Sequence, residues 1–465
     1  MRKPRIGLLV LYVPFYESIV ALRDEKIAFA ADVQRRIENQ ADVLSPGLID
    51  TEDAARAAAM HFSDNDVDAV VVVPAVAVFG AMGWAAIESL DVPICIWNLQ
   101  PAAAIPEDYD IGELIRNSGG LGVQALANTL ARAGRECRVL FSRAGEPPPA
   151  ELAAFLNVAR LAKDLGRARF GRIGNVFPRM TDVRMEAGDW PGAAVVDVAA
   201  SEFQARYREQ TGDLVRQRVA DICERHRTFH ISDDELDRSA RIWLALDRIV
   251  SERGLAGGAF NCHGENCLGN PDIGVTGCYA VSAQTSEGRP FSCTGDLPTA
   301  IAMWILNELA GSVLYGELDL VDPDANCVLL ANGGEGHFAA AEGAVAVTGN
   351  ENFAGLHGRG AALSFEPFAG PATIASFTPL NSPKGYRLIV AEGEMVRRRL
   401  PRLTVFHSAF RFAGIRADTA FRRWCEAGAV HHVAIATGHW MRELRMIAAM
   451  KSFDLVSVGE AQYET

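Results

Sequence analysis

The chain has 465 residues, enough for about three domains of ordinary size, and its composition, 49% hydrophobic and 22% charged, is that of a globular protein. A net charge of −13 argues against nucleic acid as a partner, since phosphate binding needs a basic surface. No apolar run reaches the ~20 residues of a membrane-spanning helix.

The first apolar run, residues 6–13, follows Arg2, Lys3 and Arg5 and leads into Pro14. It reads as a buried strand rather than a signal peptide, because no small-residue cleavage site follows it. The next hundred residues alternate strand and helix. A helix is expected over 18–38, a short strand over 41–44, a helix over 51–62, a strand over 67–73, a helix over 84–90 and a strand over 92–97. The strand 67–73 (VDAVVVV) is continuously apolar, as in a strand buried on both faces. This alternation predicts a doubly wound parallel sheet. The turn after the first strand reads YVPFYES and carries no glycine fingerprint, so no nicotinamide cofactor is expected.

A second alternating unit starts near Glu113. It offers a helix over 124–132, a strand over 138–141, a helix over 150–165 and strands over 170–176 and 193–199. Ser232 with Glu235 three residues on forms a capping box ahead of Leu236, Ala240, Trp243, Leu246 and Val250. Strands follow over 258–262, 291–293 and 312–320, with a helix over 299–309. After about Ala340 short strands separated by Gly, Pro and Asn take over (AALSFEP, ATIASFTP, GYRLIVAEG), which predicts antiparallel β structure and a small barrel. The chain then regains α/β texture, with a helix over 419–425 and strands over 431–436 and 455–458. The resulting division is 1–112, an N-terminal α/β domain; 113–340, a central α/β domain with most candidate site residues; and 341–465, a domain containing the barrel.

The nine scattered cysteines read as reduced thiols of a cytoplasmic protein. Cys262 and Cys267 lack a second pair at zinc-finger spacing, so no structural zinc site is expected. Cys262, Cys278 and Cys293 lie in apolar segments, where thiols pack like small hydrophobes. The chemistry-bearing residues concentrate after position 260: FNCHGENC with His263 and Glu265, SCTGDLP with Asp296, YGELDLVDPD with Glu317 and Asp319, ANGGEGH with Glu335 and His337, and the pair His431–His432. A carboxylate–imidazole set suits a divalent metal, which polarises a carbonyl and its neighbouring hydroxyl while a base moves a proton. Asp296 also precedes a helix with Pro298 in its first turn, so its position fits an N-cap equally well. His431 and His432 stand at a strand start, where neighbours face opposite ways and at most one is expected to enter a given site.

The segment GCYAVSAQTSEGRPFSCTGDLPTAIAMWILNELAGSVLYGELDLVD resembles the central part of L-fucose isomerase/L-arabinose isomerase-like proteins. NSGGLGVQALANTLARAGR, YRLIVAEGE and AVHHVAIATGH resemble the same family, in order along the chain. The resemblance implies an α/β fold: two Rossmann-like parallel-sheet domains followed by a C-terminal domain with an antiparallel β barrel. It implies homo-oligomers, trimers or hexamers, and aldose–ketose isomerisation of a sugar through an enediol with Mn²⁺ bound by carboxylates and a histidine. Carried over by position, the metal ligands are Glu317 and His432, with Asp319 and His337 as further candidates, and Asp296 matches an acidic site residue. Three positions depart: Thr294 stands where the family has a glutamate, and Asn332 and Leu121 stand where it has histidines. A threonine cannot remove a carbon-bound proton at neutral pH. The catalytic candidates are therefore Glu265, His263 and Asp296. Three functional readings stay open: a metal-dependent aldose–ketose isomerase, a relative with a different reaction on the same scaffold, and a non-catalytic carbohydrate-binding protein.

Overall fold

The computed structural model describes residues 2–186, 194–351, 359–381, 385–403 and 405–459. Ala193, the first residue of one expected strand, lies outside them. The chain forms two compact units, Met1–Asp164 and Leu165–Thr465.

The first unit is a doubly wound sheet that extends past the expected boundary at 112, because the strand Arg138–Arg143 pairs with Ile94–Gln100 instead of joining the second unit. Its strands are β1 (Arg5–Leu11), β2 (Asp42–Leu44), β3 (Leu48–Ile49), β4 (Ala69–Pro74), β5 (Ile94–Gln100) and β6 (Arg138–Arg143). They run parallel in the order 2-1-4-5-6, with β3 also on β1. The helices are α1 (Arg23–Glu38), α2 (Glu52–Asp64), α3 (Gly80–Ile87), α4 (Ile111–Arg116), α5 (Gly119–Arg132) and α6 (Ala150–Arg167), the last continuing past the unit boundary. Every residue of β4 is buried, as its unbroken apolar run requires. Phe62 from α2 and Leu126 from α5 pack with Leu9, Val70, Val72 and Ile96 of the strands. The first helix begins at Arg23 rather than near Ser18, because Pro14–Ser18 form a separate 3₁₀ turn.

The second unit opens with another parallel sheet. Strands β7 (Arg169–Ile173), β8 (Ala194–Val198), β10 (Gly257–Phe260) and β11 (Phe291–Cys293) are ordered 11-10-7-8, while β9 (Arg227–Phe229) lies in a separate small sheet. Helices α7 (Ala200–Glu209), α8 (Asp213–Arg225), α9 (Asp233–Arg253), α10 (Cys278–Ser286) and α11 (Leu297–Ala310) accompany it. The capping box at the start of α9 is formed: Ser232 accepts from the Glu235 amide, and the Glu235 carboxylate accepts from the Ser232 amide.

The barrel has six antiparallel strands and is closed. Its strands are β12 (Leu314–Asp322), β13 (Cys327–Ala331), β16 (Gly370–Pro379), β17 (Tyr386–Val396), β18 (His407–Phe412) and β19 (His432–Thr437). Pairing runs 16-19-12-13-18-17, and β17 returns to β16 along ten residue pairs. Between them β14 (Ala346–Gly349) pairs antiparallel with β15 (Ala361–Ser364) and parallel with β9. Helices α12 (Ala417–Glu426) and α13 (Met441–Met450) follow, and β20 (Asp454–Val458) adds in parallel to β17. Leu314, Leu330, Ile374, Ile389, Phe410 and Ile435 belong to its core.

Two strands read from the sequence as continuing α/β texture, β12 and β19, are therefore barrel staves. They pair with each other across more than a hundred residues of chain, so pairing and not local pattern decided their sheet. Helix α11, buried along most of its length, packs against β16 and β19 and joins sheet to barrel within this unit. Replacing Ser232 with alanine removes one half of the α9 cap and is expected to cost about 1 kcal/mol. Urea unfolding would read this as a lower midpoint at an unchanged slope.

Candidate active site

The site forms where β12 and β19 meet the turn that leads into α11. Glu317 and His432 are directly opposed across the antiparallel β12–β19 pair, so their side chains share one face. His432 Nε2 lies 3.4 Å from Glu317 Oε1, and His432 Nδ1 lies 2.7 Å from Asp296 Oδ2. The Asp296 side chain also accepts from the Thr299 amide at 2.9 Å, capping α11 with its other oxygen. Cap and site residue, the alternatives open at this position, are both realised by one carboxylate.

Asp296 is fully buried and is delivered by a tight turn. Thr294 has φ of 56° and Gly295 has φ of 81°, both left-handed. A Cβ on Gly295 would stand 2.8 Å from Val176 Cα, and the Thr294 carbonyl accepts from the Phe177 amide at 2.8 Å. The left-handed conformation at a β-branched residue is a local cost of the order of 1–3 kcal/mol, offset by the buried contacts it creates.

The electrostatics follow from this burial. Burial works against a charge on His432, but Asp296 and Glu317 outweigh it and hold its pKa at about 9. The same contact, with His432, keeps Glu317 below the usual carboxylate range. The Tyr315 ring lies 4.7 Å from the His432 ring, and its hydroxyl is buried without a partner.

The expectation that only one of the two histidines enters the site is corrected. His431 sits in a bend just before β19, outside the alternation of the strand, and its ring centroid is 3.8 Å from that of His432. One donor atom each from Glu317, His431 and His432 lie within 4.8 Å of one another. His431 Nδ1 is 2.5 Å from Asp182 Oδ2, and the His431 amide donates to the same oxygen at 3.2 Å. Both imidazoles thus have Nδ1 held by a carboxylate, which leaves each Nε2 for a ligand, the arrangement typical of metal-binding histidines. One carboxylate and two imidazoles fit a divalent cation.

The remaining candidates separate. Asp319 is exposed beside a register shift in β12, its carboxyl raised by partial burial and by Glu317. His337 is buried, accepts from the Ala339 amide through Nδ1 at 3.1 Å, and is pushed down to about 4 by burial, so it is a neutral cap of a 3₁₀ turn. Glu265 is exposed, and its backbone carbonyl accepts from Gln204. His263 is half-buried; burial lowers its pKa, opposed by Glu317 and helped by His432, which places it in the field of the site. Asn332 is tied into its loop by hydrogen bonds to the Tyr315 and Glu335 carbonyls and from the Gly334 amide. Leu121 is exposed on α5. Asp182 was not singled out in the sequence, since a lone aspartate between strands carries no local signal.

The L-arabinose isomerase C-terminal domain model matches residues 318–454, beginning one residue past Glu317 and including both histidines. Sulfoquinovose isomerases from Priestia aryabhattai and Priestia megaterium are each 22% identical over 455 residues, covering 96% of this chain and 98% of theirs. A sulfoquinovose isomerase from Alkalicoccus urumqiensis is 24% identical over 84% of this chain and 86% of its own.

Two outcomes test the geometry. The His432 pKa of about 9 exceeds the ordinary 6.5, so its pairing stabilises the fold fully below pH 6.5 and less as pH rises through 9. The melting temperature of chelator-treated protein should fall between those pH values, and His432→Gln should flatten that fall. Gly295→Ala should destabilise by about 1–3 kcal/mol, measured by denaturant titration. The chain is thus similar to L-arabinose isomerases over its C-terminal part and to sulfoquinovose isomerases along nearly its whole length.

Proposed function

We propose that this protein is an aldose–ketose isomerase acting on a sugar, with Glu317, His431 and His432 as the groups that hold a divalent metal. The observation that carries the reading is the series Asp296–His432–Glu317, a hydrogen bond followed by an ion pair, joined by the Asp182–His431 pair. Bound there, a cation of the Mn²⁺ class would polarise the sugar carbonyl and its neighbouring hydroxyl.

The reaction moves a proton from C2 of the open-chain aldose to C1, and a hydroxyl proton from O2 to O1. Glu317 is suited to the carbon proton: its side chain is 42% exposed, and His432 keeps it ionised. One carboxylate oxygen faces His432, and the other is the one offered to C2 and then to C1. His431, half-exposed with Nδ1 on Asp182, would present Nε2 to the metal, and the hydroxyl proton passes between O2 and O1, which are neighbours on the enediol. Asp296 touches no substrate in this scheme; it orients His432. The role expected of Glu265 and His263 passes to Glu317, because the structure gathers the acidic oxygen and both imidazoles and leaves Glu265 exposed. Sulfoquinovose is the first substrate to assay, because three relatives over most of the chain are isomerases of that sugar. L-Arabinose and L-fucose are the comparison.

Purified protein should convert one of these sugars to its ketose, lose activity to a chelator and recover it with Mn²⁺. Glu317→Gln and His432→Asn should each lower kcat/KM by about a hundredfold or more, with unchanged circular dichroism. Absence of conversion and of divalent-metal binding in the folded protein would overturn the reading. Asp182→Asn should weaken Mn²⁺ binding about 10- to 100-fold, as loss of a histidine-orienting carboxylate does, with the melting curve little changed.

A further inference from the structure

A second set of donor atoms lies at the carboxyl ends of β10 and β11. These strands are parallel neighbours, and Phe260 pairs with Cys293 at their ends. The chain that turns past β10 therefore brings Cys262 beside Cys293, and their sulfurs are 3.9 Å apart. This is well beyond a disulfide and close to the spacing set by a shared tetrahedral ion: two thiolates each about 2.3 Å from zinc stand about 3.8 Å apart. His263 adds an imidazole, and one donor atom from each of Cys262, His263 and Cys293 lie within 4.8 Å of one another.

A fourth group points the same way. Glu335 is buried, burial raises its pKa, and Cys293 lies close enough to influence it. Its Oε2 has no hydrogen-bond partner among the described residues. A buried carboxyl oxygen without a partner costs free energy that a nearby cation would recover. Two thiols and one imidazole converging in this way, with the buried Glu335 beside Cys293, form a soft donor set, unlike the carboxylate and two imidazoles around Glu317.

The geometry points to a second, thiolate-rich cation site, in which Cys262, Cys293 and His263, with Glu335 against Cys293, bind one thiophilic divalent cation of the zinc class. Each ligating thiol gives its proton to solvent as the ion enters. Cys293 immediately precedes the Thr294–Gly295 turn that delivers Asp296, so an ion here would fasten that turn to the loop after β10. The inference does not depend on the isomerase reading and stands even if no sugar is turned over.

The probe is cadmium, whose bonds to thiolate give an ultraviolet charge-transfer band. The protein is the full chain with the two exposed thiols replaced, Cys223→Ser and Cys425→Ser. The expected result is a band saturating at about one cadmium per chain, lost in Cys262→Ser and Cys293→Ser, weakened at least tenfold in affinity by His263→Asn, and retained in Glu317→Gln. X-ray absorption at the zinc edge of the zinc-loaded chain gives a readout that needs no cysteine variant at this site, and two sulfur neighbours at about 2.3 Å are expected. No saturable band, a band unaffected by either cysteine replacement, or a zinc shell of oxygen and nitrogen alone would overturn the proposal.

Discussion

The hydrogen bond between His432 Nδ1 and Asp296 Oδ2, both buried, joins the two halves of the second unit. Asp296 belongs to the turn after the parallel sheet, and His432 begins a barrel strand. Neither group is stable there alone: an unpaired buried carboxylate or imidazolium costs several kcal/mol. The barrel strand must therefore arrive where the α11 cap points, and α11 must begin where β19 begins. Packing of α11 on β16 and β19 supplies apolar contact behind this polar joint. The polar joint supplies the register.

From that constraint the rest of the site follows in order. His432 is directed toward Glu317 because its other nitrogen is engaged, and the antiparallel register places Glu317 opposite it. His431, freed from strand alternation by its bend, turns to the same side and is held by Asp182. Two carboxylates thus orient two imidazoles, and a third carboxylate stays half open to solvent, where a substrate approaches. The groups come from the segment after β7, the turn after β11, and strands β12 and β19. Loops at the carboxyl ends of a parallel sheet are the usual place for ligand sites in such folds. Here a barrel edge completes what the sheet begins.

Thr294 marks where the chain departs from the family pattern it resembles. Its side chain is buried beside the site, its hydroxyl finds no partner, and its backbone adopts a conformation that costs a β-branched residue free energy. The turn is retained because the next residue, a glycine pressed against Val176, and the cap that follows depend on it.

Much of this was legible in the sequence because it is local. The apolar run of β4, the Ser232–Glu235 capping box, and the change to short strands after the central segment all declare themselves within a few residues. The resemblance pointed to Glu317 and His432 by position, and the structure sets these two residues opposite each other across β12 and β19. Local pattern did not reach the entry of β12 and β19 into a closed barrel, the double duty of Asp296, the inward turn of His431, the partner Asp182, or the pairing of Cys262 with Cys293 instead of Cys267. Each depends on contacts between segments distant in the chain, where strand register and helix packing choose the neighbour. Periodicity along a sequence states which face a residue takes; only the tertiary structure states what that face meets.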